Sequence, residues 1–326
     1  MRALVYKSPE NVVVETFPDP EVGPRDALLT VEACGVCGSD VSSYLHGHYV
    51  SEGQTLGHEM SAVIKEIGSD LALALPVGTR VAVRPARSCG VCPYCLDGVP
   101  GLCGDSGART LGYGVRGGYA DVVLYTDVTV GADLYAVPAE VSADEVLWAE
   151  PLAVAVRAVR RAGSVESVLV LGGGSVGLCV AAAAKAAGIA RITVSEPRDE
   201  RRAAASHIGV GVVKPGDEVE LVDVVIDTSG VAAAIAAADV ALRPGGIFVT
   251  VGLGDRPIPW PVHDVVASFA YSDDDFALAV DHIVSGRVRL GAFVTHRSGL
   301  NGAGDAIAAS ANDPSVVKAA IVPSLD

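Results

Sequence analysis

Residues 168–177 read Val-Leu-Val-Leu-Gly-Gly-Gly-Ser-Val-Gly: an apolar strand, a glycine-rich turn and the start of a helix. A strand without a polar face must be covered on both sides, which is the position of a central strand in a parallel sheet. The alternation extends around it. Val154–Arg161 is predicted helical, Ser167–Leu171 a strand, Ser175–Gly188 an Ala-rich helix closed by glycine, Arg191–Ser195 a strand and Asp199–His207 a helix. Val222–Asp227 and Ile247–Val251 follow as buried-type strands with a helix, Ala232–Leu242, between them. Strands alternating with helices predict an α/β fold with a doubly wound parallel sheet.

The turn carries glycines at 172, 174 and 177, spaced G-x-G-x-x-G. Three glycines allow a tight turn, close approach of a pyrophosphate and tight helix–strand packing, while the helix N-terminus offers free N–H groups to phosphate. Gly-rich turns are common, and other parallel sheets carry them too. The context here is more specific: an apolar strand before, a helix after, and Glu196 ending the next strand, 24 residues past Gly172. A carboxylate there can take ribose hydroxyls, which favours NAD, whereas Arg198, Arg201 and Arg202 leave NADP compatible. The candidate cofactor-binding residues are Gly172, Gly174, Ser175, Val176, Gly177, Glu196 and Arg201. Only eight residues, Lys214–Leu221, separate the run ending at Val213 from the strand at Val222. In the usual strand order the chain must here cross about 14 Å of sheet. Eight extended residues reach about 26 Å, so the crossover is predicted to lack its helix.

Residues 1–147 have a different texture: short β runs (Val12–Glu15, Ala27–Ala33, Met60–Ile67, Arg80–Val83) punctuated by Pro and Gly. Within them Cys89, Cys92, Cys95 and Cys103 are spaced C-x2-C-x2-C-x7-C. Four thiolates on short turns suit a tetrahedral Zn²⁺, and four protein ligands close its shell, so this site braces a lobe without doing chemistry. An open site has to be sought elsewhere. Gly35-Val-Cys37-Gly-Ser39-Asp40 and Gly57-His58-Glu59 precede the cluster. Cys37 and His58 offer a sulfur and a nitrogen, and Glu59 and Glu150 are candidate oxygen ligands. Three protein ligands plus a free position make a Lewis-acid zinc that lowers the pKa of an alcohol oxygen. Asp40 could accept from His58 and fix its tautomer, and Ser39 could relay the alcohol proton. Taken singly, each residue also reads as a buried thiol, a core histidine or a helix-end charge; their joint occurrence with the cofactor loop favours the site. His46, His48 and His207 read as surface residues.

A length of 326 residues favours two domains, and 50 % apolar residues suffice for sizeable cores. A net charge of −15 argues against nucleic acid and anionic membranes, which need clustered Lys/Arg. Six of the seven cysteines lie between positions 34 and 103, which does not read as a secreted disulfide framework. The start, Met-Arg-Ala-Leu-Val-Tyr-Lys, reads as a strand and not as a signal peptide, and no apolar run is long enough to span a bilayer. A cytoplasmic location is expected.

With these motifs, and with Gly117-Gly118-Tyr119-Ala120, Glu150-Pro151-Leu152-Ala153 and Val294-Thr295-His296-Arg297, the chain resembles the zinc-dependent medium-chain dehydrogenase/reductase family, in its sorbitol and threonine dehydrogenase branch, over essentially its whole length. The resemblance implies a GroES-like β-rich catalytic domain (1–148, with a structural-zinc lobe at 84–110), a Rossmann cofactor domain (149–272), and a C-terminal segment (273–326) returning to the catalytic domain. It implies two zinc ions per subunit and a homodimer or homotetramer. Cys37, His58 and Glu150 would hold the catalytic zinc, with Glu59 the neighbouring acid that can exchange with water, and Ser39 would serve the proton relay. Val251 and Gly252 would pass the nicotinamide, and Lys318 would stand near the cofactor phosphates. The family often has a relay histidine five residues past the zinc cysteine; this chain has Ser42. It has Phe269-Ala270-Tyr271 where the polyol branch often has Phe-Arg-Tyr, so a polyol-contacting arginine is absent. The expected activity is hydride transfer between a secondary alcohol (polyol, cyclitol or a related biosynthetic intermediate) and a nicotinamide cofactor. Its alternatives are reduction of an activated C=C or C=O bond on the same scaffold, or a non-catalytic zinc- and nucleotide-binding relative.

Overall fold

The computed structural model describes residues 1–71, 74–238, 240–252 and 264–326. The chain forms two compact units, Met1–Glu150 with Ser272–Asp326, and Pro151–Tyr271.

The first unit begins with β1 (Arg2–Ser8) and β2 (Asn11–Thr16), an antiparallel pair. It continues with β3 (Ala27–Gly35), β4 (Glu59–Ile67), β5 (Arg80–Val83), β6 (Val122–Tyr125) and β7 (Leu134–Ala136). The second unit supplies β8 (Ser167–Leu171), β9 (Arg191–Ser195), β10 (Gly211–Val213), β11 (Val222–Asp227), β12 (Leu242–Thr250) and β13 (Asp264–Ala267). The chain then returns to the first unit with β14 (Val294–Ser298) and β15 (Lys318–Ile321).

In the first unit the sheet runs β14-β15-β3-β4-β5-β7, with β6 also on β3. β3 is its hub. Its inward residues Ala27, Leu29 and Val31 pack with Met60, Ala62 and Ile64 of β4 into one core. The C-terminal strand enters that core through β15, where Ala320 pairs with Gly35 and Ile321 with Cys34. That antiparallel pairing brings position 318 beside the end of β3, where the helix Gly38–His46 begins.

In the second unit the strand order is β10-β9-β8-β11-β12-β13, all parallel. Every residue of β8 is buried, as a central strand requires. The helix Ser175–Ala186 that follows buries Leu178–Ala184 on a mostly alanine surface, which lets it lie close to the sheet. Lys214–Leu221 crosses from the edge strand β10 to β11 without a helix, in a turn where Lys214 N–H donates to Asp217 at 2.8 Å. The helix expected over Ala232–Leu242 is shorter. It spans Ala232–Ala238, and Leu242 already opens β12, buried and paired with Val222. A leucine suits either state, and the sheet partner decided it. No helix among the described residues is long and apolar enough to cross a membrane.

Candidate metal and cofactor sites

The four-cysteine lobe is built from local turns. Cys92 caps the short helix Pro93–Leu96, and Cys103 follows the 3₁₀ turn Pro100–Leu102. One ligand atom from each of Cys89, Cys92, Cys95 and Cys103 lies within 4.8 Å of all the others. The Cys92–Cys95 and Cys89–Cys95 sulfurs stand 3.5 and 3.9 Å apart, beyond any disulfide. Backbone N–H groups already point at sulfur: Cys92 N donates to Cys89 Sγ at 3.3 Å and Cys89 N to Cys103 Sγ at 3.4 Å. Hydrogen bonds from Ser88 and Cys92, against the cost of burial, lower the Cys95 thiol to about 6. These groups fit a soft divalent cation held by four thiolates.

A second group joins Cys37, His58 and Glu59, again within 4.8 Å of one another. Cys37 is the N-cap of the helix Gly38–His46, and Asp40 at N3 accepts its backbone N–H at 3.0 Å. His58 precedes β4 and is placed by Gly57, whose φ is +94°. A Cβ at Gly57 would come within 2.6 Å of the Tyr119 ring, so the backbone here passes where only glycine fits. Tyr119, from the Gly-Gly-Tyr-Ala motif, is fully buried and donates its O–H to Asp40 at 2.8 Å. The His58 Nδ1 to Asp40 Oδ1 distance is 3.8 Å, too long for the expected hydrogen bond; Asp40 is occupied by Cys37 and Tyr119 instead. His58 Nδ1 is buried with no hydrogen-bond partner. Burial works against an imidazolium at His58, yet Tyr113, Asp40 and Cys37 together raise its pKa well above the usual histidine range. A buried pocket that favours positive charge, with sulfur, nitrogen and oxygen donors converging, fits a divalent metal.

The two carboxylates stand in different settings. Lys318 is fully buried within the first unit, where its ammonium pairs with Glu59, donates to the Val36 carbonyl at 3.1 Å and lies 5.1 Å from the Trp148 ring. Lys318 reaches this internal ion pair because β15 lies directly against β3. Gly35 makes room for the pair: a Cβ there would meet a Glu59 oxygen and the Lys318 Cε within 3 Å. Glu150 opens the helix Ala149–Ala162 and stands outside the tight group of three. It still belongs to the same electrostatic neighbourhood. Burial pushes its carboxyl up to about 7, His58 and Lys318 pull it down, and Glu59 and Asp40 add to the rise.

Sequence reasoning missed Tyr113. Its ring centroid lies 5.3 Å from that of His58, and its O–H donates to Ser39 Oγ at 2.7 Å. Burial raises its phenol to about 12, so it stays a donor near neutral pH. The available signal was its setting, Gly112-Tyr113-Gly114, an aromatic on a glycine turn shortly before the Gly-Gly-Tyr-Ala motif. Ser39, one residue inside the helix, therefore has a fixed donor on one side and the metal-type residues close by.

In the second unit the glycine turn is formed as its spacing predicts. Gly172 has φ +94°, and its N–H donates to Ser195 O at 2.9 Å. A Cβ on Gly177 would lie 1.9 Å from Gly172 O, so helix and turn touch only because both residues are glycine. Gly174 caps the helix, with Ser175 and Val176 in its first turn. Glu196 is buried and hooked to the turn. It accepts Gly173 N–H at 2.7 Å and Arg198 N–H at 2.9 Å. Arg201 has a buried Nε without a hydrogen-bond partner, beside Gly174. Burial and Arg198 lower its pKa, with Glu196 opposing. Val251 and Gly252 donate to Asp227 O at 2.9 and 3.1 Å, at the carboxyl end of β11. A glycine cradle, helix N–H groups and an under-satisfied guanidinium at the carboxyl ends of parallel strands fit a dinucleotide.

The alcohol dehydrogenase GroES-like domain model matches residues 23–133, and the zinc-binding dehydrogenase model matches residues 175–284. The chain is similar to 2-dehydro-3-deoxy-L-galactonate 5-dehydrogenase of Pseudoalteromonas atlantica, 33% identical and covering 95% of each chain. It is 32% identical to a sorbitol dehydrogenase of Arabidopsis thaliana, over 88% of this chain and 85% of that one. Its fold matches a zinc-binding dehydrogenase from Sinorhizobium meliloti 1021 bound to NADP, with a TM-score of 0.90, 28% identity and 99% of both chains covered. Two family models and full-length relatives thus agree with the paired metal-type groups and the glycine cradle, and the chain belongs to the zinc-dependent medium-chain alcohol and polyol dehydrogenases, enzymes that use a nicotinamide cofactor.

Proposed function

We propose that the protein oxidises a secondary alcohol of the polyol or cyclitol type to the ketone, reversibly, with NAD as acceptor. The observation that carries this reading is the convergence of Cys37, His58 and Glu59, with Tyr113, packed at His58, donating its O–H to Ser39. Cys37 and His58 would hold a zinc ion. Glu150 is the better third ligand, because Lys318 already neutralises Glu59. A bound zinc supplies Lewis acidity to the alcohol oxygen, and a bound nicotinamide takes the hydride. Ser39 accepts the alcohol proton while Tyr113 O–H holds its oxygen in place. Asp40 keeps Cys37 at the helix N-terminus through its backbone N–H. Glu196, buried against the glycine turn, supports NAD by offering a carboxylate to ribose hydroxyls, and Arg201 serves the phosphates.

The four-cysteine lobe would hold a second, structural zinc, giving two per subunit. Its exposed apolar side chains, Val91, Leu96 and Leu102, support a homodimer or homotetramer built partly on this face. A cytoplasmic location fits the reduced cysteines this reading needs.

A panel of secondary alcohols, polyols and aminocyclitols, each offered NAD and NADP and followed by absorbance of the reduced nicotinamide, tests the proposal. Turnover with NAD on a secondary alcohol, lost when zinc is removed and regained when it is restored, is the expected result. Full activity in the zinc-free protein, or product analysis showing C=C reduction, would overturn it.

A further inference from the structure

Oxidation of a secondary alcohol releases a hydride with its electron pair and, separately, the hydroxyl proton. That proton has to reach solvent. Ser39 can pass it on but cannot keep it, because a serine hydroxyl is not basic near neutral pH. The position one helical turn further on is Ser42, on the same face as Ser39. Ser42 Oγ lies 3.0 Å from Nδ1 of His48, a hydrogen bond at the protein surface.

The chain is arranged to make that contact. The helix ends at His46, and Gly47, at φ +70°, turns the backbone and donates its N–H to Ser43 O at 2.9 Å. Ser43 is buried and donates its O–H to the carbonyl of His48 at 2.6 Å. Tyr49 takes a left-handed φ of +63°, unusual for a tyrosine. The loop therefore folds back along the last turn of the helix and lays the imidazole on Ser42. The groups facing His48 are Ser42 and His46 of the helix, with ring centroids of the two histidines 5.5 Å apart, and Tyr49 of its own loop at 6.0 Å. No carboxylate is in contact with it in these interactions.

We propose that His48, reached through Ser42, takes up the proton released by alcohol oxidation and hands it to solvent. The inference rests on the dehydrogenase reading above. In this sequence the alcohol O–H proton moves to Ser39 Oγ as the Ser39 proton moves on. The step across the helical turn from Ser39 to Ser42 would need a single bridging water or hydroxyl. Ser42 passes its own proton to His48 Nδ1, and the imidazolium then loses one to bulk water. The C–H electron pair goes to the nicotinamide, a C=O bond forms, and one proton is left over, which is the one His48 carries. In the reduction direction the same path runs backward. Imidazole suits the task because histidine is the side chain whose ordinary pKa lies near neutral pH.

The test uses His48→Gln, Ser42→Ala and, as a control, His46→Gln in the zinc-loaded enzyme. His48→Gln is expected to slow oxidation about 10- to 100-fold near neutral pH, within the range of a lost acid–base group. The low-pH limb of the wild-type profile should disappear, and free imidazole buffer should restore part of the rate. Ser42→Ala should behave similarly, and His46→Gln like wild type. A second readout needs no turnover: nitrogen NMR of His48 in the metal-free protein should show a tautomer balance that Ser42→Ala changes. Wild-type turnover combined with an unaltered rate, pH profile and buffer dependence in His48→Gln would overturn the relay alone. A wild-type protein inactive on every alcohol would overturn the dehydrogenase reading and the relay with it.

Discussion

The ammonium of Lys318 and the carboxylate of Glu59 form an ion pair between side chains that are 0% and 1% exposed, joined across 259 residues of sequence. Removing one partner of such a pair leaves a buried charge uncompensated, which costs about 3–5 kcal/mol. Lys318→Met should lower the unfolding free energy, read from urea titrations, by that amount. The double variant Lys318→Met/Glu59→Gln should recover most of it, since neither residue is then charged. A single variant as stable as wild type would show that Glu59 finds another counter-charge.

The two cysteine groups should respond differently to loss of one thiol. On the proposed assignment Cys37→Ala removes a zinc ligand, so turnover should fall to background while the unfolding midpoint stays near that of wild type, and bound zinc should drop by one per chain. Cys95→Ala would open the proposed four-thiolate shell, whose metal would contribute folding energy directly. It should lower the thermal midpoint or shift the oligomer distribution before it affects kcat. Zinc content, thermal unfolding and size-exclusion chromatography measured on both variants decide this, and equal loss of stability in the two would contradict it.

Tyr113 offers a conservative test of the hydroxyl network. Tyr113→Phe keeps the ring against His58 and removes only the O–H given to Ser39. A hydrogen bond of this kind contributes about 1 kcal/mol, so kcat should fall roughly fivefold with zinc content unchanged. An unchanged kcat would mean that Ser39 is oriented without it.

Acid stability of the second unit should depend on Asp223. Its carboxyl accepts the Ser167 hydroxyl at 2.8 Å, the backbone N–H groups of Glu166 and Ser167 at 3.0 and 2.9 Å, and Arg243 Nε at 2.7 Å. The Ser167 hydroxyl first, then Arg243 and the backbone donors, hold its pKa down to about 2 against the cost of burial. In the unfolded chain an Asp titrates at about 3.9. A pKa lowered by folding means that the stabilisation is complete above the unfolded value and is lost as pH falls toward the folded one. Between about pH 4 and pH 2, wild type should therefore lose stability faster than Asp223→Asn, and added salt should narrow the gap. Parallel acid-unfolding curves for the two proteins would rule this out.

Much of this was legible in residue order because it is encoded over a few residues. The strand Ser167–Leu171 and its glycine turn, the cysteine pairs two apart, and the helix-free crossover Lys214–Leu221 all depend on local period, local reach or steric freedom. Those signals determined the parallel sheet and pointed to the four-cysteine lobe and to Cys37 with His58 as candidate metal ligands. Sheet order decided the rest. The pairing of β15 with β3 buried Lys318 against Glu59. A glycine turn brought Tyr113 to Ser39 across 74 residues, and a backbone reversal at Gly47 laid His48 on Ser42. None of these contacts has a sequence period, because what a long side chain meets depends on which distant strand or loop packs beside it.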